Sequence, residues 1–127
     1  MKTALLVMLH GSPLPASSEP VLRAVEDVRQ RGVFDLVTIG YLECNEPPIA
    51  EAIRQCVEAG AERIIALPCF LHAGTHVVCD LPAILEAARA AWPAVEFLMT
   101  PFLGRSGVLT AILAQRAREA SLPRPTQ

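Results

Sequence analysis

Three histidines, His10, His72 and His76, and one glutamate, Glu43, stand out because each follows an apolar run rather than sitting within one. Imidazole and carboxylate donors together suit a divalent first-row metal such as cobalt, iron, nickel or zinc. The same groups can exchange protons near neutral pH. The four cysteines, Cys44, Cys56, Cys69 and Cys79, form neither a CxxC pair nor a Cys-His zinc pattern. Cys56 falls on a helical pattern and is expected in the core, whereas the other three lie close to the polar segments. No GxGxxG or GxxxxGK[ST] loop is present, so nucleotide phosphates lack their usual cradle. His10-Gly11-Ser12 is not a nucleophile elbow of the G-x-S-x-G kind. Any one loop histidine, taken alone, is more simply read as a hydrogen-bonding group. His72, the fourth residue of its loop, is expected to face solvent.

These residues gain meaning from the elements that must hold them. Thr3 to Leu9 is continuously apolar and ends at a Gly-Ser-Pro turn, as expected of a strand covered on both faces rather than a secretion signal. Ser17 or Ser18 then caps a helix with Pro20 in its first turn, a buried stripe of Val21, Leu22, Val25 and Val28, and Gly32 as its stop. Phe34 to Tyr41 is a second strand. Pro47 and Pro48 open a second helix with Ile49, Ile53, Cys56 and Val57 on one face, stopped by Gly60. Arg63 to Leu67 is a third strand, ended by Pro68. Asp80 caps a third helix with Ile84, Leu85 and Ala88 facing inward, and Trp92-Pro93 closes it. Val95 to Thr100 is a fourth strand, and a fourth helix runs from about Ser106 to Ala120 with Val108, Leu109, Ile112 and Leu113 apolar.

Strict strand–helix alternation predicts an α/β fold: a four-stranded parallel sheet with helices on both faces. In such a sheet ligands bind beyond the carboxyl ends of the strands. The segments following the strands hold all three histidines, Glu43, Phe70 and Arg105. His10, Glu43 and one or both of His72 and His76 are therefore expected to converge. The N-termini of the helices after strands one, three and four should face the same edge and favour an acidic ligand.

The whole-chain numbers set the limits. At 127 residues and 52% hydrophobic types, the chain is long and apolar enough for one core. We expect a single domain over residues 1–120 and a Pro-rich, frayed tail over 121–127. A net charge of −2 argues against nucleic acid as the main partner. The apolar runs fall short of the roughly 20 residues of a spanning helix. Without a convincing export signal, the cytoplasm and free thiols are the expectation.

Four stretches, in order, resemble the small sirohydrochlorin cobaltochelatase family, relatives of the anaerobic cobalt, nickel and iron chelatases. His10-Gly11-Ser12 is similar to that family's strand-one H-G-S-R motif, with Pro13 in place of the arginine. Tyr41-Leu42-Glu43, followed by Pro47-Pro48-Ile49-Ala50-Glu51-Ala52-Ile53, resembles its "LE…P.I.EAI" block. Leu67 to Pro82 (LPCFLHAGTHVVCDLP) resembles "VPLFLxxGxHVxxDIP", the most specific of the four. Pro101-Phe102-Leu103-Gly104 is close to a final "PLG" element, after which Arg105-Ser106-Gly107 departs from the usual continuation.

The resemblance implies a chelatase-like half with flavodoxin-like layering that inserts a divalent metal into sirohydrochlorin, a tetrapyrrole bearing eight carboxylates. Co²⁺ is the first expectation, with Ni²⁺ and Fe²⁺ open, and no organic cofactor is expected. His10 and His76 match the family's metal-binding, catalytic histidines, and Glu43 matches an acidic position that assists with metal or protons. Ser12, Phe70, Gly74 and Arg105 are candidates for substrate contacts. Tyr41 or Phe102 could also lie against the ring. Family members of this length pair as homodimers, and longer relatives fuse two halves. Pro13 and the altered loop after Gly104 keep a second reading open: a non-catalytic module that binds a transition metal or tetrapyrrole and delivers it.

Overall fold

The computed structural model describes residues 1–14 and 16–122. The expected tail falls mostly on residues 123–127, which lie outside them. The elements follow in the order β1 (Thr3–Leu9), α1 (Glu19–Gln30), β2 (Leu36–Tyr41), α2 (Ile49–Glu58), β3 (Arg63–Pro68), a π-helical turn (His76–Asp80), α3 (Leu81–Ala91), β4 (Glu96–Met99), a 3-10 turn (Leu103–Arg105) and α4 (Val108–Ala120). The four strands are parallel in the order β2-β1-β3-β4. Leu6 of β1 pairs with Thr38 on one side and Ala66 on the other.

The apolar run of β1 is explained by its place. It is a central strand, and its side chains alternate between two cores. Ala4, Leu6 and Met8 pack with Ile49, Ala52 and Ile53 of α2 and Leu81 and Leu85 of α3. Leu5, Val7 and Leu9 pack with Val25 of α1 and with Val37 and Tyr41 of β2. Winding from β1 to β2 and then back across to β3 and β4 puts α1 on one face and α2 and α3 on the other.

Several sequence expectations need correction. β2 begins at Leu36 rather than Phe34, and Ser18 stands at the N-cap of α1 without a side-chain capping bond. Leu22 is not on the buried stripe of α1 but exposed; the inward face is Val21, Val25 and Val28, at i, i+4 and i+7. β4 is shorter than expected, at Glu96–Met99. Asp80 does not cap α3. It has helical dihedrals, its side chain makes no capping bond, and the N–H of Leu81 is already donated to His76 O across the π turn. No free N-terminus of α3 therefore faces the edge. Tyr41 belongs to the α1-side core, not to the edge.

α4 stands apart from the rest. Of its apolar residues, Val108, Ile112 and Leu113 are exposed, and no residue of the helix is buried. On the α1 side of the sheet, α1 covers β1 and β2. Leu98 of β4 remains 42% exposed there, beside half-buried Ile65 and Leu67 of β3.

Candidate metal centre

The site forms where β1, β2 and β3 run out. The edge of β1 continues as two backbone bonds, from the N–H of Leu42 to Leu9 O (2.9 Å) and from the N–H of Glu43 to His10 O (3.0 Å). The β1 loop then passes so close to the β2 loop that only glycine fits: a Cβ on Gly11, at φ +94°, would lie 1.8 Å from Glu43 O. Asn45 Oδ1 accepts the N–H of Ser12 at 2.7 Å, and the N–H of Asn45 is donated to Glu43 O at 2.8 Å around Cys44, at φ +67°. The two loops are thus clamped together, and the clamp turns Glu43 toward His10, with Oε1 3.1 Å from Nε2.

His10 Nδ1 lies 3.0 Å from Gly11 O. A carbonyl only accepts, so Nδ1 carries the hydrogen. Nε2 and the Glu43 carboxylate then direct two acceptors at each other. A cation completes that arrangement, a proton or a metal ion. His76 arrives from the other side, on the π-helical turn after β3. Its ring centroid lies 4.9 Å from that of His10, at 60° between planes. His76 Nδ1 lies 2.7 Å from Asp80 Oδ2. Phe70 stands 6.5 Å from each imidazole, edge-on to His10 at 84° and tilted to His76 at 39°. The side chains of His10 and His76 are 45% and 46% exposed, so the pair faces outward and is open to a large ligand.

Among the described residues, no three His, Cys, Asp or Glu side chains converge closely enough to hold one ion. The edge therefore supplies two imidazoles, each with a carboxylate beside it, leaving the remaining coordination positions of an ion for other donors. Thiolate does not compete from behind: burial pushes the Cys69 thiol up, and Cys56, deep in the core, likewise. Cys44 and Cys79 are exposed, and all four cysteines are free.

The other sequence candidates separate. His72 is exposed and stands outside the His10–His76 pair. The Ser12 hydroxyl accepts the N–H of Leu14 at 3.1 Å, and its own N–H is held by Asn45. Gly74 has nothing within 4 Å of where a Cβ would stand, so its loop is open. Arg105 lines a recess of about 560 Å³ with Leu67, Thr100, Phe102 and Ser106, beyond β3 and β4. The imidazoles do not line that recess. Gly104 braces it: its N–H is donated to Phe70 O at 2.9 Å, and a Cβ there would meet Leu71 O at 1.9 Å.

Sequence reasoning gave no role to Asn45 or to the close approach at Gly11, and read Asp80 as a cap. The four-residue spacing of His76 and Asp80 was the available signal, since i and i+4 share a helix face.

Comparison with known proteins agrees with this frame. A sirohydrochlorin cobaltochelatase of Sulfolobus acidocaldarius is 40% identical over 117 residues, covering 91% of this chain and 90% of that protein. One from Methanocaldococcus jannaschii is 43% identical over 82 residues, 65% of this chain. That match spans 57% of the relative's length. Among solved structures, the sirohydrochlorin chelatase SirB of Bacillus subtilis subspecies spizizenii, in complex with cobalt, superposes with a TM-score of 0.85 at 24% identity, covering 94% of this chain and 51% of that one. A cobalamin (vitamin B12) biosynthesis CbiX protein of Marinobacter aquaeolei VT8 gives 0.81 at 23%, covering 94% and 97%. At those identities the likeness is one of fold. The CbiX family model matches residues 4–120, which takes in all of the sheet but Thr3 and every edge loop described above: the chain belongs to the CbiX family.

Proposed function

We propose that this chain is a sirohydrochlorin metal chelatase, inserting a divalent ion, Co²⁺ first, into the tetrapyrrole. The observation that carries the reading is the pair of half-exposed imidazoles 4.9 Å apart, with Glu43 against one of them. The names of the relatives, including one that aligns along nine-tenths of both chains, point the same way. Ni²⁺ and Fe²⁺ suit the same nitrogen and oxygen donors.

Insertion exchanges one M²⁺ for two pyrrole protons. His10 and His76 hold the incoming ion through a few ligands only, so it can pass to the macrocycle nitrogens. Glu43, and an imidazole once the ion has left it, take the released protons. Four thiolates would instead keep the metal. Phe70, beside both imidazoles, offers a face for the ring. Ser12, Gly74 and, from the neighbouring recess beyond β3 and β4, Arg105 are the residues we assign to its carboxylates, Arg105 by a charge-assisted contact. No electron is transferred, so the reaction as written needs no organic cofactor.

We further propose that residues 1–120 act as one domain and that two copies pair. A four-stranded sheet is only about 14 Å wide and gives a macrocycle one wall. The uncovered apolar side of α4 and the open patch at Leu98 are surfaces that a second copy can bury. The Bacillus chain, of which this fold covers 51%, has room for a second half. Four free thiols fit a reducing cytoplasm, and among the described residues no helix is long and apolar enough to cross a membrane.

The test is an absorbance time course of metal-free sirohydrochlorin with Co²⁺, Ni²⁺ or Fe²⁺. Acceleration with many turnovers per chain supports the enzyme. Stoichiometric binding without turnover supports the delivery module instead.

A further inference from the structure

We infer that Asp80 is the positioning residue for His76: it fixes which imidazole nitrogen meets the metal. The inference rests on the metal-site reading above and adds to it a residue that the sequence pattern assigns to a different task.

Asp80 occupies the position where a helix-capping aspartate belongs, immediately before α3, yet it does not cap. The chain runs from the π-helical turn straight into α3, and Leu81 N–H is already used by His76 O. Pro82, next in line, has no N–H to offer, and the carboxylate instead turns to the side and meets His76 Nδ1 at 2.7 Å. A single π turn joined to an α-helix is rare and frequently marks a functional site. Here it carries both partners, His76 as its first residue and Asp80 as its last.

The chemistry is directional. An ionised carboxylate only accepts, so the bond requires hydrogen on Nδ1 and leaves Nε2, across the ring, as the free lone pair. The bond also limits rotation of the ring about its stem. His10 reaches the same tautomer by another route, with Nδ1 facing the backbone carbonyl of Gly11 at 3.0 Å. Both imidazoles thus offer Nε2, one held by the backbone and the other by a carboxylate. A carboxylate behind a ligating imidazole sets its orientation and raises its basicity, and removing it typically weakens metal binding 10- to 100-fold. Stability does not explain the pair equally well. Both side chains are 46% exposed, and ion pairs at such exposure contribute little to folding.

The full-length protein tests this in two measurements. The first is ¹⁵N NMR of the imidazole rings in metal-free protein. His76 should be the Nδ1–H tautomer in the wild type and shift toward Nε2–H, the form favoured in water, in Asp80→Ala. The second is calorimetric titration with Co²⁺. Asp80→Ala should bind about 10- to 100-fold more weakly with an unchanged melting temperature. Asp80→Asn, which keeps an acceptor oxygen of the same reach, should recover part of both signals and serves as the working variant if Asp80→Ala folds poorly. Wild-type affinity in Asp80→Ala, or an unchanged tautomer, overturns the inference. Weaker binding with an unchanged tautomer also overturns it, because Asp80 would then act on the ion directly. A wild-type protein that binds no Co²⁺ removes the metal reading instead, and the NMR comparison still decides whether Asp80 sets the ring.

Discussion

His10 and His76 share a ring-to-ring distance of 4.9 Å, while His72, on the same loop as Phe70, is exposed and outside the pair. That separation yields a sharp contrast among the chain's three histidines. His10→Ala and His76→Ala should each slow insertion by about 100-fold or more, the usual scale for losing a proton-transferring or ligating side chain. His72→Ala should stay within about twofold, since an exposed side chain with no hydrogen-bond partner among the described residues costs little to remove. Initial rates of the three variants, with thermal melting as the folding control, check the contrast. The histidines were legible in the sequence because strand–helix alternation sends all three to one edge, and the family resemblance then separates His10 and His76 from His72. The partners of those histidines were less so. Aspartate serves equally well as a helix cap or as a carboxylate for an imidazole, and only the π turn, which gives Asp80 helical dihedrals and takes up Leu81 N–H, decides for Asp80. Glu43 was legible as an edge residue, but its aim depends on the tight turn at Cys44, whose φ of +67° no residue type announced.

At the scale of elements, the clamp between the β1 and β2 loops is the part most sensitive to a single atom. Gly11→Ala places a Cβ 1.8 Å from Glu43 O at a φ of +94°, and both the overlap and the dihedral are unfavourable. We expect a loss of about 1–3 kcal/mol in denaturant unfolding, together with a loss of insertion activity as Glu43 is pushed off His10. Wild-type stability would mean that the loops part without cost. Strands β1 and β3 read clearly because central parallel strands are apolar on both faces. Leu22 misled because at i+1 from Val21 it looked like part of the stripe, whereas the three-and-four spacing of Val21, Val25 and Val28 sets the buried face. The π-helical turn left no compositional trace: His76 to Asp80 are all weak helix formers, and no residue type marks a π turn.

For the whole molecule, α4 is the informative element. Its apolar residues were read correctly as apolar, but a sequence cannot say which surface they meet, and Val108, Ile112 and Leu113 remain exposed, lining an open apolar recess with Leu71 and Leu103. The open patch around Leu98 lies on the sheet face that α1 leaves free. Paired copies should therefore scatter light as twice the 13.7 kDa chain mass. Ile112→Glu combined with Leu113→Glu should shift the population toward the monomer, because a buried apolar contact would be exchanged for unpaired carboxylates. The same variant should lose insertion rate if the second copy provides the other wall of the cleft. A wild-type monomer inserting metal at full rate contradicts the pairing and requires one edge to serve alone.

X-ray absorption at the cobalt edge of the Co²⁺-loaded protein tests the joint site most directly. We expect a first shell of nitrogen and oxygen only, with the multiple-scattering signature of two imidazoles, falling to one in His76→Ala. Sulfur in the first shell, or an imidazole signal unchanged in His76→Ala, would contradict a centre built by His10 and His76 together.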